Sequence, residues 1–498
     1  MWNKIEHLGS ILKKVWHIWA VQYHFRIPKE MWGHYLSKFN QESRKTIYNP
    51  DDEKEYSKWL STIEYKNEGG YPFDDYVLIY EQGVHVYEEC LKYIQEPHAK
   101  IVYFDQDCIK DSKRVHPLLK PVFSRDTLLG VNYIGGLALI HKSLVSDYEK
   151  NGSLYTCYLD WMEKGYDFEH QSLILFHEEP KSSRKKEVEE YSLKYNKSLC
   201  LKEKEGFIQV DYPVRNNPLV SIIIPMRDGI FDTKRCLDSL FTLTAYKNYE
   251  VILVDNGSKK KETFEYFSQI KENPNIRIMD LDIPFNYSKL NNEAISICQG
   301  ELILLLNNDT EIIQADWMAK MIGYAQQPWV GSVGCTLLYP DRMYQHTGIL
   351  AGKGGIAAHR YYQSFEKEKG YDYHLKVVED MAGCTAACLM LRKEVFQEVG
   401  GLNDQLTVNY NDVDLAFKLL EAGYQNVFLP QVSLIHHESK SRGIDKDSKT
   451  IARYQKEMEY MKVHWNQYLS EDPYYSNGWD KSKDYQLIVS HSEYTMLK

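Results

Sequence analysis

Three short apolar runs constrain this chain more than anything else in it. Val220–Ile224, Val251–Val254 and Leu302–Leu306 are dominated by Val, Ile and Leu, with almost no polar interruption. Such runs suit strands buried on both faces of a parallel sheet, not strands with one wet face. Helical segments such as Thr233–Leu240 lie between them. Strands alternating with helices predict an α/β fold with right-handed crossovers. In such sheets, ligands bind beyond the carboxyl ends of the strands, and there the text turns polar. The runs lead into Pro225-Met226-Arg227-Asp228, Asp255-Asn256-Gly257-Ser258 and Asn307-Asn308-Asp309-Thr310. One acid in such a place could be a cap or an Asx turn; acids after successive strands point to a site.

A further acid opens a helix. Asn411-Asp412-Val413-Asp414 begins a helical pattern over Val413–Ala422 that Gly423 closes. Asp412 there is either an N-cap or a reactive carboxylate. Residues 359–379 gather His359, Tyr361, Tyr362, Tyr371, Tyr373 and His374. Aromatic faces can stack on the rings of a ligand, which makes this a candidate binding loop.

The rest of the chain sets limits. Its length of 498 residues implies two or three domains. A net charge of −10, with no basic stripe, argues against nucleic acid as a partner. The nine cysteines show no zinc-type spacing, and Cys384 and Cys388 sit in an apolar run, as core residues do. No run of about 18 apolar residues could span a bilayer, and the amino-terminal text does not read as a secretory signal. A cytoplasmic protein is expected. Trp2, Ile5, Leu8, Leu12, Val15 and Trp19 nevertheless recur at helical spacing opposite Lys4, Lys13, Lys14 and His17. A basic amphipathic helix of this kind over 1–22 could lie in a membrane interface or dock on protein.

The blocks VSIIIPMRDG, EVILVDNGS, PFNYSKLNNEA, ELILLLNNDTEI, NYNDVDLAFKLLEAGY and LIHHESKSRG follow one another over residues 219–443. In order and spacing this text resembles the family 2 inverting glycosyltransferases of GT-A fold. It is most similar to the rhamnosyltransferase-like enzymes of bacterial surface polysaccharide synthesis. The resemblance implies a Rossmann-like GT-A domain that takes a dTDP- or UDP-linked sugar and a divalent ion, Mn²⁺ or Mg²⁺. It implies Asp309 and His436 as metal ligands, with His437 the alternative to His436, and Asp412 as general base. Pro225, Asp255, Asn286, Asn292 and Asn308 would hold the donor, with Asn291 beside them, and Arg442 would clamp its diphosphate. Asn307 stands where other members carry a first acid, which leaves one carboxylate. The implied acceptor is a glycan or lipid-linked glycan at the inner face of the cell membrane.

Residues 76–180 repeat the later text in outline. YVLIYEQG (Tyr76–Gly83) aligns with LILLLNND (Leu302–Asp309), and GGLALIHKSLV (Gly135–Val145) with AACLMLRKEVF (Ala386–Phe396). Tyr158 falls against Asp412 and His177 against His436, so the metal acid and the base are absent. The expected organisation is an amphipathic helix (1–25), a degenerate GT-A-like domain (26–180) and a charged linker (181–215). The catalytic GT-A domain (216–443) and a helical extension (444–498) follow. A second active site at Asp105 and Asp107 is the rival reading of the first half.

Three other functions compete. Gly352-Lys353-Gly354-Gly355-Ile356-Ala357 fits a loose dinucleotide pattern, but His359-Arg360-Tyr361-Tyr362 follows it where a helix should start. A processive synthase would carry membrane spans. A non-catalytic nucleotide-sugar- or glycan-binding subunit of a polysaccharide assembly complex is the alternative the sequence leaves open, and the helical extension could pack on the catalytic domain or mediate an oligomer.

Overall fold

The computed structural model describes residues 56, 60, 68–179, 183–366, 370–437, 448–481 and 484–487. The expected amphipathic helix and Arg442 lie outside the described residues.

The apolar runs of the sequence are strands, and they sort mainly into two sheets. The first holds β1 (Tyr76–Tyr80), β2 (His85–Val86), β3 (Ile101–Lys110), β4 (Lys113–Leu118), β5 (Leu137–His141) and β6 (Phe168–His177). Their order is β1-β5-β3-β6-β2, with β4 beside β3. A hairpin follows, of β7 (Cys200–Lys204) and β8 (Phe207–Asp211).

The larger sheet is built from β9 (Val220–Met226), β10 (Tyr249–Asp255), β11 (Ile276–Asp280), β12 (Leu302–Leu306), β13 (Thr310–Ile312), β14 (Val330–Leu338) and β15 (Tyr344–His346). After a small separate hairpin, β16 (Ile349–Ala351) with β17 (Ala357–His359), come β18 (Glu379–Met381), β19 (Cys388–Arg392) and β20 (Gln425–His436). The order is β11-β10-β9-β12-β19-β14-β20-β13, with β15 on β14 and β18 on β20. Strands β11, β10, β9 and β12 run parallel. Strands β10, β9 and β12 are buried almost throughout, as a parallel sheet covered on both faces requires, and β11 is the half-buried edge. This is the expected Rossmann-like α/β arrangement.

The repeat read from the sequence has a counterpart in topology. β12-β19-β14-β20-β13 matches β1-β5-β3-β6-β2 strand for strand and sense for sense. The first two pairings are antiparallel, the third is parallel and the last antiparallel. Even β15 on β14 matches β4 on β3. Among the described residues the front strands β9, β10 and β11 have no counterpart in the first sheet.

The two sheets share one hydrophobic core, in which Tyr103 and Ile140 join the same cluster as Ile222, Leu304 and Leu434. Asp126 bridges toward the larger sheet, accepting from Tyr212 OH (3.0 Å) and Trp329 Nε1 (3.1 Å). The charged stretch 181–215, expected as a charged and partly helical linker, packs on the fold. It is helical over Lys185–Lys194, then forms the β7–β8 hairpin, and Val188, Tyr191, Ile208, Val210 and Tyr212 are buried. Spaced apolar side chains, masked by the charges between them, are enough to dock it. Among the described residues no helix is long and apolar enough to cross a membrane.

Candidate active site

At the front edge, the turn after β10 is set by its own polar residues. Asp255 Oδ1 accepts from Ser258 N (3.0 Å) and Ser258 Oγ (2.5 Å), and Ser258 Oγ in turn accepts from Asp228 N (2.8 Å). Gly257 turns with φ +72°, a left-handed backbone conformation that favours glycine. Pro225 lies half-buried in the strand beside this turn.

The asparagines expected near the donor bind protein. Asn286 caps helix Tyr287–Ile297, accepting from Lys289 N (3.0 Å) and donating to Asp404 O (2.8 Å). Asn292 donates to Leu402 O (2.8 Å) and Asp404 Oδ1 (2.9 Å), and accepts from Leu402 N (3.1 Å). Buried Asn291 donates to Tyr287 O (2.7 Å). These groups hold the 402–404 loop on the helix. Asn308 ties the turn after β12 to the helix after β9, donating to Thr233 Oγ1 (3.0 Å).

Asp309 follows that turn. The pairing of β13 with β20 sets Thr310 opposite His436, and so brings the two expected metal ligands together. His436 Nε2 lies 3.0 Å from Asp309 Oδ1, and both residues are buried. On the other side of the ring, Nδ1 faces Gln345 Oε1 at 2.6 Å. With that oxygen accepting, Nδ1 carries the proton and Nε2 presents its lone pair toward the carboxylate. A cation or a shared proton between these two acceptors would satisfy both, and Asn307 Nδ2 stands 3.4 Å from the same Nε2. The carboxylate–imidazole pair therefore fits a divalent ion, and Gln345 supplies the outer hydrogen bond that orients such a ligand. His437 parts from its neighbour: its backbone N–H donates to Asp309 O (2.9 Å), and its ring faces Glu311 Oε2 (2.8 Å). Among the described residues no cluster of three or more His, Cys, Asp or Glu side chains stands ready for a metal, in keeping with Asn307 in place of an acid.

Asp412 sits on helix Asn411–Glu421, after Tyr410 at φ +63°. That left-handed conformation is costly for a residue with a Cβ. Asp412 Oδ2 accepts from Ala386 N (3.2 Å), and the next residue, Ala387, accepts at its carbonyl from Asn307 N (3.0 Å). The expected base and the metal turn thus flank the dipeptide Ala386-Ala387 at the start of β19. Asp414, by contrast, is fully buried and bound to Trp465 Nε1 (2.9 Å).

Two residues not singled out in the sequence support this arrangement. Gln345 is one. The other is Glu457 on helix Ser448–Ser470, only 2% exposed. Its carboxylate accepts from Thr407 N (2.8 Å), Thr407 Oγ1 (2.9 Å), Val408 N (3.1 Å), Asn409 N (3.2 Å) and Asn409 Nδ2 (2.9 Å). It organises the loop that enters the Asp412 helix. The available signal was Glu457 at four- and eight-residue spacing from the buried Met461 and Trp465.

The aromatic loop is mostly turned inward. Tyr373 and His374 are buried, and Tyr371 OH donates to Pro117 O (2.6 Å). His374 and Arg360 both bind Glu379, the arginine through two 2.8 Å contacts. His359 and Tyr362 face outward in part. Asp105 and Asp107, the rival site, are fully buried. Asp107 accepts from Tyr56 OH (2.7 Å), Tyr87 OH (3.0 Å) and Arg114 Nε (2.6 Å). Asp105 accepts from Lys120 N (2.7 Å) and faces His170 Nε2 (2.8 Å). Packing neighbours occupy both oxygens of Asp107, whereas at Asp105 both contacts fall on Oδ1 and the buried Oδ2 has no hydrogen-bond partner.

Comparison with known proteins agrees with this edge. Residues 221–400 match the family described as Glycosyl transferase family 2. They form a glycosyltransferase family 2 domain. With the order of its sheet, the domain has the GT-A fold expected from the sequence. Over 410 residues the chain is 36% identical to an uncharacterised protein of Sinorhizobium fredii, covering 76% of this chain and 45% of the relative. It is 31% identical over 385 residues to the O-antigen biosynthesis protein RfbC of Myxococcus xanthus, covering 72% of this chain and 30% of that one. The N-acetylglucosaminyl-diphospho-decaprenol L-rhamnosyltransferase of Mycobacterium tuberculosis is 24% identical over 245 residues, 44% of this chain and 76% of the relative. The chain thus spans less than half the length of the first two. The family 2 match covers β9 through β19 and Asp309; Asp412 and His436 lie beyond it.

Proposed function

We propose that this chain is an inverting glycosyltransferase that moves a sugar from a nucleotide-diphosphate donor to a glycan or lipid-linked acceptor in surface polysaccharide synthesis. The observation that carries the reading is the convergence of Asp309 Oδ1 and His436 Nε2 at 3.0 Å, at the edge where the parallel strands end. On this reading Asp255 and Pro225 bound the nucleotide site, Asn286, Asn292 and Asn308 shape it, and Arg442 reaches the diphosphate. Asp412 takes the proton of the attacking acceptor hydroxyl. A single displacement at the anomeric carbon, with one base, inverts the configuration and needs no protein nucleophile. Asp309 and His436 would hold Mn²⁺ or Mg²⁺, which when bound offsets charge on the departing diphosphate.

The named relatives support the setting: one is an O-antigen biosynthesis protein, another a rhamnosyltransferase acting on a lipid-diphosphate sugar. dTDP-rhamnose is accordingly the proposed donor, and farnesyl-diphospho-N-acetylglucosamine a fitting soluble acceptor. In this proposal the first sheet is a non-catalytic copy within 26–180, and residues 1–22 touch the inner membrane face.

The test is nucleotide-diphosphate release from dTDP-rhamnose, UDP-glucose, UDP-galactose and UDP-N-acetylglucosamine, with Mn²⁺ or EDTA. One donor should be consumed, and both EDTA and Asp309→Ala should stop it. Binding of nucleotide without any turnover, with and without the lipid acceptor, would favour a binding subunit instead.

A further inference from the structure

We propose that the first sheet and the segment ending helix Ser448–Ser470 enclose a binding site for a neutral sugar unit of a glycan, with the His170 imidazole as its fixed hydrogen-bonding group. The inference goes beyond the glycosyltransferase reading and rests on it only for the choice of sugars in the test.

The site is a cavity of about 400 Å³, a size typical of small-ligand sites. Its walls include His170 and Ser172 of β6, Lys120 after β4, and Tyr468, Glu471 and Asn477 at the end of the helix and in the turn beyond it. None of Asp309, Asp412 or His436 lines it. The two walls are bonded to each other. Val122 N donates to Pro473 O (3.0 Å), and the adjoining Asp472 accepts from Ala351 N (2.7 Å) and Tyr474 N (2.8 Å). A cavity tied together in this way is formed before a ligand arrives, which lowers the cost of ordering it.

His170 gives the cavity its chemistry. The side chain is only 8% exposed, and its ring stacks on Tyr103 at 5.1 Å. Its Nε2 lies 2.8 Å from Asp105 Oδ1, an oxygen that also accepts from Lys120 N (2.7 Å). That oxygen is an acceptor, so Nε2 carries the proton and Nδ1 keeps the lone pair. Nδ1 has no partner among the described residues. An enclosed, unpaired ring nitrogen calls for a donor, and a ligand hydroxyl supplies one. Ser172, Glu471 and Asn477 likewise make no side-chain hydrogen bond among the described residues. A hydroxyl, a carboxylate and an amide therefore stand around the same space. Tyr468, held by stacking on Phe417 at 4.9 Å, adds aromatic carbon.

Charge decides the class of ligand. Glu471 and Asp472 bring two acids to the walls, and Lys120 is the one lysine or arginine among the lining residues. Its ammonium is spent on Ile134 O (2.6 Å), in a residue 1% exposed. A phosphate would meet like charge here and no free cation. A neutral polyol meets donors and acceptors around an aromatic ring, the chemistry that suits a sugar.

The test uses the full chain and needs no turnover. Histidine-¹⁵N-labelled protein is titrated with methyl α-L-rhamnoside, methyl β-N-acetylglucosaminide and, as an anion, inorganic pyrophosphate, with calorimetry for affinity. The His170 ring signals, assigned by their loss in His170→Gln, should shift saturably with at least one glycoside and not with pyrophosphate. Glu471→Ala and Asn477→Ala alter exposed side chains that hold nothing in the fold, and each should weaken that binding about three- to tenfold, the worth of one hydrogen bond. Asp309→Ala should leave it unchanged. A His170 signal that moves with neither glycoside, or with pyrophosphate alone, overturns the inference. So does glycoside binding that both exposed variants leave intact, or that Asp309→Ala abolishes. A chain that binds glycoside at His170 yet releases no nucleotide diphosphate from any donor overturns the proposed function and leaves this site standing.

Discussion

At the end of β6 in the first sheet stands His177, paired across β2 with His85; at the end of β20 in the larger sheet stands His436, paired across β13 with Thr310. The strand orders around these histidines are the same, yet their surroundings differ in kind. His436 has Asp309 on one ring nitrogen and Gln345 on the other. His177 stacks on His85 at 4.7 Å, with the buried, apolar Val84 one residue before its partner, and burial lowers its pKa. At the edge of the larger sheet a carboxylate and an imidazole face one another. The first sheet fills that place with its own side chains, where Glu178 accepts from Gly136 N (2.8 Å) and Lys120 donates to Ile134 O (2.6 Å). A shared scaffold therefore does not make a shared site. Three added parallel strands and two short turns separate the halves.

The sharpest way to break this comparison is to remove the carboxylate that only the larger sheet has. Asp309→Ala should lower donor turnover about 10³-fold, since a bound cation is worth several kcal/mol to a departing diphosphate. It should also abolish Mn²⁺-dependent strengthening of nucleotide binding, read by calorimetry with dTDP. Activity that survives in Asp309→Ala and still needs metal would place the site elsewhere. Asp412→Asn should keep donor affinity while transfer falls about 10²–10⁴-fold, the usual weight of a general base. Wild-type transfer in that variant would remove Asp412 from the role.

How much of this was legible in the sequence follows from the range of the forces involved. The strands β9, β10 and β12 were legible because continuous aliphatic runs have one good solution, a doubly covered strand. The Asp255 turn was legible because Gly257 and Ser258 fix it locally. Asp309 with His436 needed the family resemblance, for they stand 127 residues apart and only the β13–β20 pairing joins them. Gln345 was not legible, and Glu457 showed only in its spacing from Met461 and Trp465. An amide on a three-residue strand carries no pattern, and a buried glutamate on a charged helix reads as a solvated one. Tyr371 and Tyr373 misled for a related reason: an aromatic in a polar loop looks like a sugar platform until the neighbouring sheet, through Pro117, claims it.

A smaller effect tests the filled edge of the first sheet. Lys120 is 1% exposed, and burial brings its ammonium down from 10.5 to about 7. Between those values the unfolded chain keeps a proton the folded one has released, so stability rises with pH through that window. The penalty is complete below about pH 7. Lys120→Met removes it and forfeits the bond to Ile134 O, so a net gain of about 2 kcal/mol is expected at pH 7. The gain should vanish near pH 10, measured by urea unfolding at both values. A destabilised variant at pH 7 would mean that the lysine is held by more than packing, as a ligand-binding edge would require.

The smallest expected effect is the one that matters most to the comparison. His177 keeps the position of a metal ligand but has Val84 and His85 where the larger sheet has Asp309 and Thr310. The carboxylate opposite His177 in the register, Asp107, is already held by Tyr56, Tyr87 and Arg114, so a diphosphate bound there would gain little from the protein in leaving. His177→Ala should therefore change turnover less than twofold and cost about 1 kcal/mol or less in stability, as for a half-exposed edge residue. A loss of turnover beyond tenfold, with stability unchanged, would show that the first sheet contributes to the reaction after all. The two halves would then be two sites, and the rival reading of Asp105 and Asp107 would return with His177 as their neighbour at the β3–β6 edge.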